Sequence, residues 1–138
     1  MRNKKYVILG LVLILFSLKT FYDYREKSLD RMISYNASNF NSMLVNFELY
    51  TENKEHAEDL TKFLSQYRVK KISSNEYQRD FKEMRGFHIL VNPHNGKSTL
   101  VSISGDRLLH SNGSYYKVLN GPIDLDWVTK FIEELHQQ

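Results

Sequence analysis

An uninterrupted apolar run close to the start of the chain limits what the rest can be. After the basic segment Met1-Arg-Asn-Lys-Lys5, the thirteen residues Tyr6-Val-Ile-Leu-Gly-Leu-Val-Leu-Ile-Leu-Phe-Ser-Leu18 carry no charge. Three readings compete. The length suits the apolar stretch of a cleaved signal peptide, but the small-residue cleavage site is missing, and Ser17-Leu18-Lys19-Thr20-Phe21-Tyr22 follows instead. A buried core helix apolar on all sides would need cover on every side, which the roughly 100 remaining residues would struggle to supply. A signal anchor fits best. The run alone spans about 20 Å as a helix, short of a ~30 Å hydrocarbon core, and continuing through Tyr22 closes the gap. Lys19 can reach the headgroups, and Tyr6, Phe21, Tyr22 and Tyr24 fall where interfacial aromatics are favoured. The expected lipid-facing residues are Tyr6, Val7, Ile8, Leu9, Leu11, Val12, Leu13, Ile14, Leu15, Phe16 and Leu18.

Charge supports this division. Arg2, Lys4 and Lys5 account for the whole formal excess of +3, so the other 16 basic side chains balance the 16 acidic ones. A nucleic-acid-binding domain would carry its excess on the domain itself, so nucleic acid is not an expected partner. Orientation rests on Lys and Arg counts beside the span. Arg2, Lys4, Lys5 and the amine stand on one side; Lys19, Arg25, Lys27 and Arg31 stand on the other, a tie. Because the first group is packed against the span, the expected topology is single-pass in the cell membrane, N-terminus cytoplasmic and domain extracytoplasmic. With no cysteine, disulfides, thiolate metal sites and a lipid-bearing cysteine are excluded.

Residues 1–34 read as basic tail, transmembrane anchor and helical stalk. The stalk, 23–34, alternates in charge and has Leu29, Met32 and Ile33 on one edge, to pack on the domain or on a second copy. Residues 35–42 read as a polar linker, and 43–138 as the soluble domain. Alternation predicts a strand over 43–50 with Val45, Phe47 and Leu49 inward. Asn53 caps a helix over 54–66 whose stripe is Ala57, Leu60, Thr61, Leu64 and Tyr67. Arg68–Ile72 reads as a basic edge strand. Ser73 with Glu76 opens a helix over 75–84, or an ordered loop, with Tyr77, Phe81 and Met84 on one face and Gly86 as its stop. Four strand patterns between Phe87 and Leu119, separated by Asn-Gly and Gly-Asp turns, predict an antiparallel meander. Asp124 caps a last helix with Leu125, Val128, Phe131, Ile132 and Leu135 inward and Trp127 on its flank. The expected fold class is α+β: an N-terminal transmembrane helix with stalk, then a two-layer domain of mainly antiparallel sheet packed against two or three helices, its other face open.

No catalytic constellation emerges. His88, His94 and His110 lie on or beside the meander, but no H-x-E or H-E-x-x-H spacing accompanies them, and separate histidines are the plainer reading. No serine sits in a G-x-S-x-G or S-x-x-K setting, and no glycine-rich phosphate loop occurs. Asp124/Asp126 and Glu133/Glu134 are explained by a helix start and a solvated helix face. The expectation is therefore no enzyme, no metal and no cofactor. Arg68, Lys70, Lys71, Arg79, Lys82 and Arg85 form a basic cluster diluted by Glu76, Asp80 and Glu83: a solvated face, or a contact for anionic headgroups or wall polymers. Tyr115, Tyr116 and Trp127 are candidates for a partner surface, with core-edge packing as the alternative.

The basic-apolar start, Val45-Asn-Phe-Glu-Leu-Tyr50, Ser111-Asn-Gly-Ser-Tyr-Tyr-Lys-Val118 and Ile123-Asp-Leu-Asp-Trp127 together resemble the small membrane-anchored and lipoprotein-like proteins of Bacillus-type Gram-positive bacteria. The chain departs from the lipoprotein pattern in having no lipobox cysteine, and the resemblance carries no site residues. The expected function is a membrane-anchored extracytoplasmic interaction or sensing module, non-catalytic, whose partners are the bilayer and a protein at the membrane, in an oligomeric state the sequence leaves open. The alternatives are an immunity or regulatory protein acting on another membrane protein, and a cell-surface hydrolase.

Overall fold

A computed structural model describes residues 2–79 and 85–138. Helix α1 covers Arg2–Asp23. Its large apolar side chains from Tyr6 to Tyr22 are all more than half exposed, on every side of the helix. The helix is long and apolar enough to cross a membrane over Asn3–Tyr22. At 1.5 Å per residue those 20 residues reach about 30 Å.

The chain does not continue as a helical stalk. Only Tyr24, Arg25 and Glu26 separate α1 from strand β1 (Lys27–Ser28). A 3-10 turn follows over Leu29–Ile33, closed by Ser34 in the left-handed region at φ 56°. The expected apolar edge is real, but it packs on the domain: Leu29 is 0%, Met32 7% and Ile33 1% exposed. The backbone follows it in, with Leu29 N–H donating to the Tyr67 carbonyl at 2.9 Å. A helix projecting these side chains into water would forgo about 1.5–3 kcal/mol for each one fully buried. Ordered packing therefore begins at residue 27 rather than 43, and the expected linker ends early, since β2 starts at Phe40.

Eight strands form one sheet in the order β1-β4-β8-β7-β6-β5-β2-β3, every neighbouring pair antiparallel. The remaining strands are β2 (Phe40–Val45), β3 (Leu49–Thr51), β4 (Arg68–Ile72), β5 (Gly86–Pro93), β6 (Thr99–Ser104), β7 (Arg107–His110) and β8 (Tyr115–Val118). The meander expected between Phe87 and Leu119 is β5–β8, turned at Gly96, Gly105 and Gly113, all with positive φ. The single strand expected over 43–50 is instead the β2–β3 hairpin, with Val45 opposite Leu49. Strand β4 is not at the edge, because β1 pairs with its first two residues. Gly86, expected as a helix stop, opens β5, where a Cβ would collide with the Ile103 carbonyl oxygen; the residues just before it, 80–84, lie outside the described ones.

One face of the sheet is covered. Helix α2 (Lys54–Leu64) starts on Asn53, whose side chain accepts from Glu55 N–H. Helix α4 (Leu125–His136) starts on Asp124, whose carboxylate accepts from Trp127 N–H at 3.1 Å. Leu60 and Leu64 from α2, Val128, Phe131 and Ile132 from α4, and the 3-10 turn close over Val45, Ile89, Val101, Leu108 and Val118 as one apolar core. On the other face Leu44, Leu90, Leu100 and Leu109 are half-buried. Short helix α3 (Ser74–Gln78), capped by the Ser73 hydroxyl, packs near β8. It stops where Arg79 turns extended; the rest of the helix expected over 75–84, with Phe81 and Met84, lies outside the described residues.

Candidate functional site

A cluster of basic side chains lies where α1 meets the domain. Tyr22 in the last turn of α1, the junction residues Arg25 and Glu26, Lys27 and Ser28 of β1, Arg31 of the 3-10 turn and Arg68 of β4 line a cleft of about 250 Å³. Local and long-range folding both build it. The β1–β4 pairing sets Ser28 opposite Arg68, bringing that arginine back across 40 positions of sequence. Arg68 Nε donates to Glu26 Oε1 at 3.1 Å, with both side chains about half exposed (48% and 49%). Such a pair is worth about 0–1 kcal/mol, so it fixes geometry more than it stabilises. Lys27 Nζ lies 5.3 Å from the centre of the Tyr22 ring, and Lys71 Nζ lies 5.6 Å from that of Tyr24. Both are within the range at which a ring face attracts a cation. The Ser28 hydroxyl donates to the Asp30 carboxylate beside the cleft.

The residues expected to form one contact surface are spread over several. Arg68 belongs to the cleft, Lys71 lies over the Tyr24 ring, and Lys70 is exposed on β4. Tyr115 sits on the other face of the sheet, its ring 4.6 Å from that of Tyr77. Burial there raises the Tyr77 hydroxyl pKa, with further help from Tyr115 and opposition from Arg107. Tyr116 cannot be a surface contact: at 6% exposure it is in the core, beside Val118 and Leu108. Trp127 stacks between Phe63, at 3.9 Å and 3°, and Phe131, at 5.0 Å and 15°. Those rings floor a groove of about 400 Å³ between α2 and α4, rimmed by Asp59, Lys62, Lys130 and Glu134.

The three histidines do not come together. His88 alternates with core residues Phe87 and Ile89 and lies on the outer face, its Nδ1 2.8 Å from the Ser102 hydroxyl. His110, in step with Leu108, lies on the helix-covered face, where burial lowers its pKa below the ordinary 6.5, opposed by hydrogen bonding of the ring to the Met32 backbone and the Asn112 side chain. His94 is exposed past the end of β5's core residues, its N–H bonded to the Asn39 carbonyl. The His88–Ser102 pair has the reach of a base and a nucleophile, but among the described residues no carboxylate bonds the ring to orient it. Among the described residues, no three His, Asp or Glu side chains gather closely enough to hold a metal.

Phe47 is the residue whose setting departs most from expectation. Instead of facing the core it stands at the β2–β3 tip, 60% exposed, with its ring 5.1 Å from His88. Asn46 and Phe47 have φ of 54° and 57°, and the turn is closed by Glu48 N–H donating to the Val45 carbonyl. Left-handed backbone suits Asn but is an outlier for a bulky side chain, costing about 1–3 kcal/mol. Asn46 in mid-strand was the only local sign of the turn.

Fold and junction together define a class: an α+β domain with an antiparallel eight-stranded sheet, joined by three residues to an exposed apolar helix. Comparisons with protein-family models, curated proteins and solved structures found no match to this chain.

Proposed function

We propose that this protein is a non-catalytic interaction or sensing module held against a membrane by α1, with its domain on the extracytoplasmic side. One observation carries the reading: α1 is apolar and exposed all round, and it enters the domain through Tyr24–Glu26 alone. Water would penalise that helix heavily, at about 25 cal/mol for each Å² of apolar surface left uncovered. Lipid removes the penalty, and the tyrosines at both ends of the run suit the interfaces. The basic residues of the cleft then lie beside the headgroups. The aromatic-floored groove between α2 and α4 and the exposed Phe47 tip are the surfaces offered to a protein partner at the membrane.

The test is fractionation of the full-length protein followed by protease treatment of intact cells. The chain should stay with membranes through alkaline carbonate and lose its domain to external protease. Release by carbonate would overturn the anchor, and complete protection would overturn the orientation.

A further inference from the structure

We propose that the cleft at the foot of α1 binds a phosphate-bearing anionic headgroup, supplied by a lipid of the bilayer that α1 crosses. This rests on the reading of α1 as a membrane span. Tyr22 both ends that span and lines the cleft, so the opening sits at the depth where lipid phosphates lie. Arg25, Lys27, Arg31 and Arg68 line it against a single lining carboxylate, Glu26, which is already engaged by Arg68. Among the described residues, neither Arg25 nor Arg31 has an ion-pair partner. Four like charges drawn into so small a space repel one another, and an anion between them reverses the sign of that interaction. Guanidinium groups present paired donors that match phosphate oxygens. The lysine is held in place by the Tyr22 ring. The position at the end of the span favours a lipid phosphate over a free one.

The experiment is native mass spectrometry of the full-length chain in a neutral detergent, titrated with phosphatidylglycerol or with phosphatidylcholine. Phosphatidylglycerol should be retained preferentially. The double variant Arg31→Gln/Arg68→Gln should weaken its retention roughly 30-fold, from about 1 kcal/mol for each cation near a headgroup surface. Lys62→Gln/Lys130→Gln, an equal loss of charge on the α2–α4 groove, should leave retention unchanged. If the first double variant loses its circular dichroism spectrum, Arg25→Gln, in the exposed junction, is used instead, with an expected loss of about fivefold. Equal retention of the two lipids, or equal weakening by the two double variants, would overturn the proposal. So would complete displacement of the lipid by inorganic phosphate at the lipid's own concentration, since the cleft would then be a free-phosphate site. Carbonate extraction of the same chain separates the levels: release means the span itself was misread, whereas retention without lipid selectivity removes this inference alone.

Discussion

Two truncations that differ by eleven residues should behave in opposite ways. A chain beginning at Tyr24 loses α1 and keeps every element that packs in the core. A chain beginning at Tyr35 also loses β1 and the 3-10 turn, and with them Leu29, Met32 and Ile33, exposed by 0%, 7% and 1%. At about 1.5–3 kcal/mol for each fully buried side chain, the second cut removes roughly 5–9 kcal/mol, an upper figure because unfolded chains already bury some apolar surface. It also removes the Leu29–Tyr67 backbone hydrogen bond at 2.9 Å and exposes the flank of β4. A domain of this size has about 5–15 kcal/mol in total, so the shorter chain should be largely unfolded where the longer one is soluble and folded. Urea denaturation followed by circular dichroism reads the difference. Leu29→Ala in the longer chain gives a graded version, with an expected loss of about 2–5 kcal/mol. Equal urea midpoints for the two truncations would refute the claim that residues 27–33 belong to the domain.

Three further outcomes are expected. Phe47→Gly relieves a left-handed backbone but gives up the contact with His88, and should raise the melting temperature by about 4–8 °C, for a net gain near 1 kcal/mol; a lower melting temperature would mean that the ring contact outweighs the strain. Leu13→Arg in the middle of α1 should cost about 2.5–3.5 kcal/mol of membrane insertion and shift the protein toward the carbonate-soluble fraction, with no change in the domain's own melting. Burial favours the neutral form of His110, so its folded pKa lies below the unfolded 6.5. The unfolded chain then binds the proton more readily, and the stability from His110 is present above that value and drains away as pH falls through the depressed folded pKa. Melting curves between about pH 7.5 and about pH 5.5 should show this loss, and His110→Gln should flatten it.

What the sequence made legible follows from how local each determinant is. The starts of α2 and α4 were readable because Asn53 and Asp124 bond amides two and three residues on, and the meander because its turns need the glycines that stand there. Tyr116 was readable in principle, since it shares parity with Val118 whereas Tyr115 shares it with Lys117; the tyrosine pair obscured the phase. The β2–β3 turn was hidden because Val45-Asn-Phe-Glu-Leu49 alternates well enough to pass for one strand, and no glycine marks the break. The docking of residues 27–33 and the arrival of Arg68 beside Arg25 and Arg31 depend on a two-residue ladder between distant segments, which leaves no local periodicity.

The brevity of the connection between α1 and the sheet has its own consequence. Three residues, even fully drawn out, reach only about 10 Å. With α1 in lipid, the domain cannot sample the space above the membrane as a body on a flexible leash does. On the proposed reading, the domain's own motion is lateral diffusion in the plane, so a macromolecule reaches it only by sharing that membrane or by coming to its surface.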